Sequence, residues 1–464
     1  MIEIIARVNH AVNGFIWGRG MLVIFLGVGL MFTVRTGFFQ FKKWKMWFGM
    51  TLGQIFRDHN VRRTKDDHSI SQFQSFCTAL AATLGTGNIT GVATALVAGG
   101  PGAIVWMWIS ALVGMMTMYA ENLLGIRYRY KNERGEWIGG AMVYMERGLG
   151  CKWMAVIFAV FCILASFGMG NMTQANSMAS GLSESFHIPA EVTGVVVMAA
   201  VGMVLFGGIK RIAAVTEKIV PFMALFYMAG GLLVLIVNRE ALPGTIQMIF
   251  SEAFQWKAVG GGALGYGMKQ AVKMGIARGI FSNEAGLGSS VMAHVASDVR
   301  EAPIQGMWAM VEVFVDTIVV CTVTALVILS SGVYQPQVYL HNMAVGIENI
   351  DGTTLTGRAF ATVIPGGDKF LALAITLFAF ATIVSWSYFG ERTAAYLLGE
   401  RASLPYKCIY ILVLFPGCVT APTLVWEIAD TFNGLMALPN LTALILLSGE
   451  VIAVTKAFIR KNQR

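Results

Sequence analysis

Charge is scarce in this chain. Asp, Glu, Lys and Arg together make up 13% of its 464 residues, against roughly 25% in soluble domains. With 56% hydrophobic residues and a mean hydropathy of +0.65, that scarcity excludes a water-soluble globular protein and leaves a polytopic membrane protein. Paired cysteines are also missing. The six cysteines, at 77, 151, 162, 321, 408 and 418, contain no Cys-x-x-Cys and lie mostly inside apolar runs, where they read as small buried residues. The six histidines show no His-Glu-x-x-His spacing, so a metal-site reading has little support. No basic stretch precedes the first apolar run, Met21 to Val34, and no small-residue cleavage site follows it. That run reads as a retained helix rather than a signal peptide.

What the chain has is apolar length, interrupted at two places. Phe73 to Pro101 is long enough to cross a bilayer but is broken by Gly85-Thr86-Gly87-Asn88. Polar, glycine-rich backbone at membrane depth is tolerated only where it is buried in protein or lines a wet cavity. Such a break offers carbonyls to a cation and amides to an anion, as in the midplane sites of secondary transporters. The alternative is a glycine-rich face for close helix packing. A phosphate loop is excluded, because no Gly-Lys-Ser/Thr follows.

A hydropathy window of about 19 residues gives eleven spans, near 17–37, 73–98, 103–127, 153–183, 190–207, 215–237, 260–297, 304–331, 368–397, 406–425 and 430–457. The net charge of +8 resides in connections rather than in a nucleic-acid patch. Lys42, Lys43, Lys45, Arg57, Arg62, Arg63 and Lys65 begin a bias that recurs at Arg127 to Arg134, at Lys210 to Lys218 and in the tail. By the positive-inside rule these segments are cytoplasmic. The N-terminus is then outside and the C-terminus inside. The segment 38–72, with Trp44, Trp47 and Phe48 among lysines, reads as an interfacial amphipathic helix. The polar stretch from Tyr334 to Asp368 reads as a lid or a connector.

With the first helix set aside, ten spans divide into two fives, each beginning with an interrupted segment. The second interruption is Phe281-Ser282-Asn283-Glu284-Ala285-Gly286-Leu287-Gly288. Because the fives start from opposite sides, the pattern predicts an all-α protein with eleven transmembrane helices: one extra N-terminal helix plus a 5+5 inverted repeat with two discontinuous helices. The divisions are 1–72, 73–237 and 238–464. Lys269, Lys273 and Arg278 fit poorly in lipid, so this second helix is either short at its outer end or turns a charged face to water.

Thr78 to Ala93 (TALAATLGTGNITGVA) and Gly279 to Ser289 (GIFSNEAGLGS) resemble the two hallmark stretches of the alanine or glycine:cation symporter family, over nearly the whole chain. The resemblance implies the leucine-transporter fold, a multi-pass protein of the cytoplasmic membrane and sodium-driven uptake of small neutral amino acids, with no cofactor. It further implies a sodium site from the carbonyls of Ala81 and Leu84 and the hydroxyls of Thr382 and Ser385, with a second site near Thr83 and Asn88 as a further option. Uncharged oxygens suit a hard cation. For the amino acid, the carboxylate takes amides around Thr86, Gly87 and Asn88. The ammonium takes carbonyls and the side-chain oxygens of Asn283 or Gln174, beside Ser282, and Phe281 and Trp386 close an apolar pocket. Gln174 alternatively serves interhelical bonding. Glu121, Glu312 and Asp316 are proton sites or, as the better reading, pair with polar or basic neighbours. A proton-coupled amino-acid permease is the alternative function. An enzyme lacks a nucleophile–base or metal constellation, and a channel lacks a ring of charges.

Overall fold

The computed structural model describes residues 2–133, 135–254, 263–335, 338–339, 352–420 and 422–462. Apart from a hairpin of two-residue strands, Tyr130–Lys131 and Trp137–Ile138, the described residues form helices and connections. Among the described residues, seven helices are long and apolar enough to cross a membrane: Arg7–Arg35, Ala103–Tyr128, Lys152–Phe186, Gly208–Val237, Ala302–Ser330, Gly367–Leu398 and Glu400–Val419. The pair Ala429–Leu446 and Ser448–Lys461, bent by 61°, makes an eighth candidate. Three expected windows fall short for identifiable reasons. The window at 190–207 holds a helix of only 16 residues, Ala190–Leu205. Those at 73–98 and 260–297 are cut by their breaks, and the second also carries Lys269, Lys273 and Arg278. The window at 430–457 runs across the bend.

The segment expected to be one interfacial helix is instead a chain of short pieces, Phe39–Lys42, Trp44–Met50, Leu52–Gln54 and His59–Arg62. Its apolar residues still face outward at Phe41, Trp44 and Phe48, as an interfacial segment requires. Much of the 334–368 stretch lies outside the described residues. Its end forms the helix Gly352–Ala361, which packs on Thr90–Gly99 and on Gly367–Leu398.

At the centre, Gly367–Leu398 packs against Gln72–Thr83, Lys152–Phe167, Thr173–Phe186 and Gly208–Val237. Ala103–Tyr128 packs against Ala263–Asn283 and Ala302–Val313. Without water to drive apolar association, small residues set how closely such helices approach. Gly275 is a direct case, because a Cβ there would stand 2.2 Å from the Ala103 carbonyl oxygen and 2.8 Å from the Trp106 Cβ. Gly275→Val should cost about 1–3 kcal/mol through overpacking. The apparent melting temperature in detergent should fall by several degrees, and an unchanged value would place the contact elsewhere.

Two of the spans are widened by π turns, at Gly168–Met172 and Phe314–Cys321. Such turns concentrate at functional sites because they re-aim side chains within a helix. The second packs against both breaks.

Candidate functional site

The first broken helix starts from a capping box, in which the Ser71 hydroxyl accepts from the Gln74 amide and the Gln74 side chain accepts from the Ser71 amide, each at 3.1 Å. It runs from Gln72 to Thr83, opens at Leu84 and Gly85, makes one tight turn over Thr86–Asn88 and resumes as Thr90–Gly99. The turn is held from within, since Asn88 Oδ1 accepts from the Gly85 amide at 2.9 Å. Gly85 has to be glycine for proximity: a Cβ there would lie 2.8 Å from Thr382 Oγ1.

That approach assembles the oxygens expected of a cation site. Thr382 Oγ1 lies 2.9 Å from the Ala81 carbonyl oxygen and 3.3 Å from that of Leu84. Ser385 Oγ is fully buried and has no hydrogen-bond partner among the described residues. Neutral oxygens of these kinds, the converging carbonyls and an orphaned hydroxyl one helical turn from Thr382, are what a hard cation such as sodium takes. Around Thr83 and Asn88 the picture differs. Both polar atoms of Asn88 are engaged, and the Thr83 hydroxyl donates to Leu80 O at 3.3 Å.

The second broken helix runs from Ala263 to Asn283, breaks through Ser290 and resumes as the single turn Val291–Val295. Three break residues have positive φ: Glu284 at 58°, Gly286 at 98° and Gly288 at 73°. Glycine adopts this region without cost, whereas at Glu284 it is strained. Side-chain bonds hold Glu284 there. Trp386 Nε1 donates to its Oε1 at 3.0 Å, and the Ser289 hydroxyl donates to its other oxygen. Glu121 reaches the same break, its Oε1 accepting from the Gly288 amide at 3.1 Å and from Asn440. Asn440 also donates to Gly286 O at 2.8 Å.

Asp316, in the π turn of 314–321, joins the two breaks. Asn88 Nδ2 donates to Asp316 Oδ1 at 2.6 Å, Ser282 Oγ donates to Oδ2 at 2.9 Å, and Thr317 Oγ1 donates to Oδ2 at 2.7 Å. The π turn aims both Asp316 and Thr317 inward, both fully buried. No Arg or Lys pairs with Asp316, Glu121, Glu284 or Glu312 among the described ion pairs. Glu312 instead meets His294 Nε2 at 2.8 Å, and His294 Nδ1 meets Gln305 Nε2 at 2.5 Å.

The sequence candidates for the amino acid come together in part. Gln174 Oε1 accepts from the Thr86 amide at 3.3 Å, so it touches the break as well as its own helix. Thr86 Oγ1 is buried without a partner among the described residues. Phe281 lies against Gly87, where a Cβ would stand 3.4 Å from the aromatic ring. Ser282 faces Asp316. Asn283 is committed locally, donating to Thr317 Oγ1 at 3.0 Å and accepting from the Ala285 amide at 3.1 Å. Trp386 packs on Gly170, where a Cβ would meet it at 2.4 Å. Arg278, poorly suited to lipid, pairs with Asp430 at 3.2 Å and lies 5.5 Å from the Phe281 ring centroid.

From sequence, Asp316 reads as a proton site or an acid paired with polar or basic neighbours, and Glu284 only as part of a polar stretch. The available signal is their type and setting, carboxylates in apolar surroundings without a basic residue at helical spacing.

The profile of the Sodium:alanine symporter family matches residues 2–464. A sodium/alanine symporter of Methanococcus maripaludis is 42% identical over all of this chain and 99% of its own length. A probable sodium/glutamine symporter of Bacillus subtilis is 35% identical, covering all of this chain and 92% of its own length. Among solved structures, the transporter MhsT in complex with L-phenylalanine aligns with a TM-score of 0.54 at 16% identity, covering 84% of this chain and 93% of that one. A manganese transporter of Eremococcus coleocola aligns at 0.50 and 14% identity, covering 86% and 82%. At such identities the likeness is one of fold.

Proposed function

This chain belongs to the sodium:alanine symporter family, and from that premise we propose that it couples sodium influx to uptake of small neutral amino acids, alanine and glycine first. Sodium-coupled amino-acid symport, by a multi-pass membrane protein that is not an enzyme, is the property of the family. The choice of small substrates is our reading. The observation that carries it is the convergence of Ala81 O, Leu84 O and Thr382 Oγ1 beside a break whose next residues meet Gln174, Phe281 and Ser282. Phe281 stands against Gly87 at the break, an aromatic wall that in this reading favours a short side chain. The sodium/glutamine name of one relative makes glutamine the competitor to test.

In this reading the two breaks are not equivalent. Gly288 N and Ser289 Oγ at the second break already donate to carboxylates of the protein, Glu121 and Glu284. At the first break the carboxylate of Asp316 meets the Asn88 side chain, and no described hydrogen bond brings it to the Thr86 or Gly87 amide. The substrate carboxylate therefore goes to the first break at Thr86 and Gly87, favoured by the amino end of Thr90–Gly99. The ammonium goes toward Gln174, Ser282 and backbone carbonyls of the second break. Sodium at Ala81, Leu84, Thr382 and Ser385 orders the same turn that holds the carboxylate, so each ligand raises the affinity for the other equally. We assign no oxygen of Asn88 to a second sodium, because its Oδ1 caps Gly85.

The basic connections are assigned to the cytoplasm, the N-terminus to the outside and the C-terminus to the inside. The eleven crossings are read as one leading helix, 1–72, and inverted fives at 73–237 and 238–464, which rock around the breaks.

Uptake of labelled alanine into proteoliposomes tests the reading. An imposed sodium gradient should drive accumulation, with glycine and alanine competing better than glutamine. Thr382→Val should raise the sodium concentration for half-maximal uptake about 10–100-fold, the worth of one oxygen contact to a charged group. Undiminished uptake under a proton gradient without sodium would replace the proposal by proton coupling. The buried His294–Glu312 pair would then be the place to look.

A further inference from the structure

The residue leading into the first broken helix and the segment leaving the second are fastened to each other. Ile70 N donates to Ala296 O and Asp298 N donates to Ile70 O, each at 3.0 Å, giving a parallel bridge between Ile70 and Ser297. Arg129, at the end of Ala103–Tyr128, crosses the same segment. Its guanidinium donates to Val295 O at 2.7 Å and to Ser297 O and Val299 O at 2.5 Å. The other face of that guanidinium lies 4.0 Å from the Trp137 ring on the hairpin.

Two features distinguish this fastening from a permanent joint. The bridge itself is backed by a small cluster of Ile70, Ala213 and Ala296, with Ile209 between it and the main core, to which Val295 and Val299 belong. It also borders a cleft of about 990 Å³ lined by Arg129, Trp137, Asp298 and Arg300, on the side of the chain that carries the basic connections. Ile70 and Ser297 are buried, but beside a cleft of that size their backbone bonds can be exchanged for bonds to water at little net cost once uncovered. The inner turn of the second broken helix, Val291–Val295, is only five residues long. Release at 295–299 would therefore reach the break within two turns.

We propose that Arg129 and the Ile70–Ser297 bridge form a latch that keeps the two breaks closed toward the cleft and opens once in each transport cycle. Arg129 is thus a positioning residue, acting on the site through the backbone it holds. The proposal rests on the symport reading above, and the test separates the two.

The chain Ile70→Cys with Ser297→Cys, in a background of Cys151→Ser and Cys408→Ser, is reconstituted in proteoliposomes. Oxidation should reduce sodium-driven alanine uptake by more than about tenfold. Reductant should restore it, and sodium-dependent alanine binding should persist in the oxidised form. Full uptake by cross-linked protein would overturn the latch, while absence of sodium-dependent alanine binding in the unmodified chain would overturn the symport reading instead. A second measurement is independent of the cross-link. With Ser297→Cys alone, Arg129→Gln should raise labelling by a membrane-impermeant maleimide several-fold, and unchanged labelling would equally overturn the latch.

Discussion

Asn88→Ala should abolish sodium-driven alanine uptake while leaving the protein inserted and monodisperse. The side chain does two jobs with its two polar atoms: Oδ1 caps the Gly85 amide at 2.9 Å and Nδ2 bonds Asp316 at 2.6 Å. Truncation takes the cap from the buried Gly85 amide, at about 1–3 kcal/mol, and removes one of the three side chains that bond Asp316. Part of that cost falls on the shape of the turn rather than on global stability. If the turn has to be remade each time sodium or substrate binds, a loss of about 3 kcal/mol corresponds to roughly 100-fold in rate. Gly87→Leu reaches the same end by another route, because the added side chain would press on Phe281 and the Ser282 Cα, which lie 3.4 and 3.5 Å from a Cβ there. Uptake in proteoliposomes, paired with a size-exclusion profile, decides the matter. Normal transport by either variant would make the break a scaffold feature and move the site elsewhere.

Asp316→Ala should be as severe, on the order of 100-fold in uptake, by the cost of orphaned buried donors. It removes the shared acceptor of Asn88, Ser282 and Thr317 and so uncouples the first break from the second. Asp316→Asn separates the two things a carboxylate provides. It keeps one acceptor oxygen and the shape but loses the charge. If Asp316 acts as a connector, the asparagine variant should retain most of the uptake with an unchanged sodium requirement. If the charge itself is used, the asparagine variant should fail like the alanine one. The sodium concentration for half-maximal uptake, measured for both variants, distinguishes these outcomes.

The fold is legible in the sequence where physics forces it. Apolar runs of membrane length cannot hide, and the glycine, threonine and asparagine of 85–88 stand out because lipid does not tolerate them without a use. The cation oxygens are reached only through the family resemblance, since nothing in the spacing of Thr382 tells that it lies 2.9 Å from the Ala81 carbonyl and 3.3 Å from that of Leu84. Long-range pairing is harder to see. Nothing in the spacing of Asp316 says that a π turn widens its helix, and a window over hydropathy treats 304–331 as a plain cylinder. Asn283 resembles a substrate ligand because an exposed amide would serve as one, yet the structure commits it to Ala285 and Thr317. Local capping competes with recognition for the same side chain, and sequence alone does not rank the two. The segment 38–72 has the composition of one amphipathic helix but not its continuity, since composition fixes which face meets the membrane and not where the backbone turns.

The widened turn at 314–321 has an evolutionary consequence. A π turn, bonded i to i+5, holds one residue more than the α turn it replaces. Point substitutions can change what Asp316 is, but they cannot change which way position 316 faces. Loss of a single codon between Phe314 and Cys321 could do so, rotating by about 100° whatever precedes or follows it on a 3.6-residue helix. Variation in how the two breaks are joined should therefore arise within this family through single-residue insertions and deletions, and alignments that smooth over such gaps would miss it.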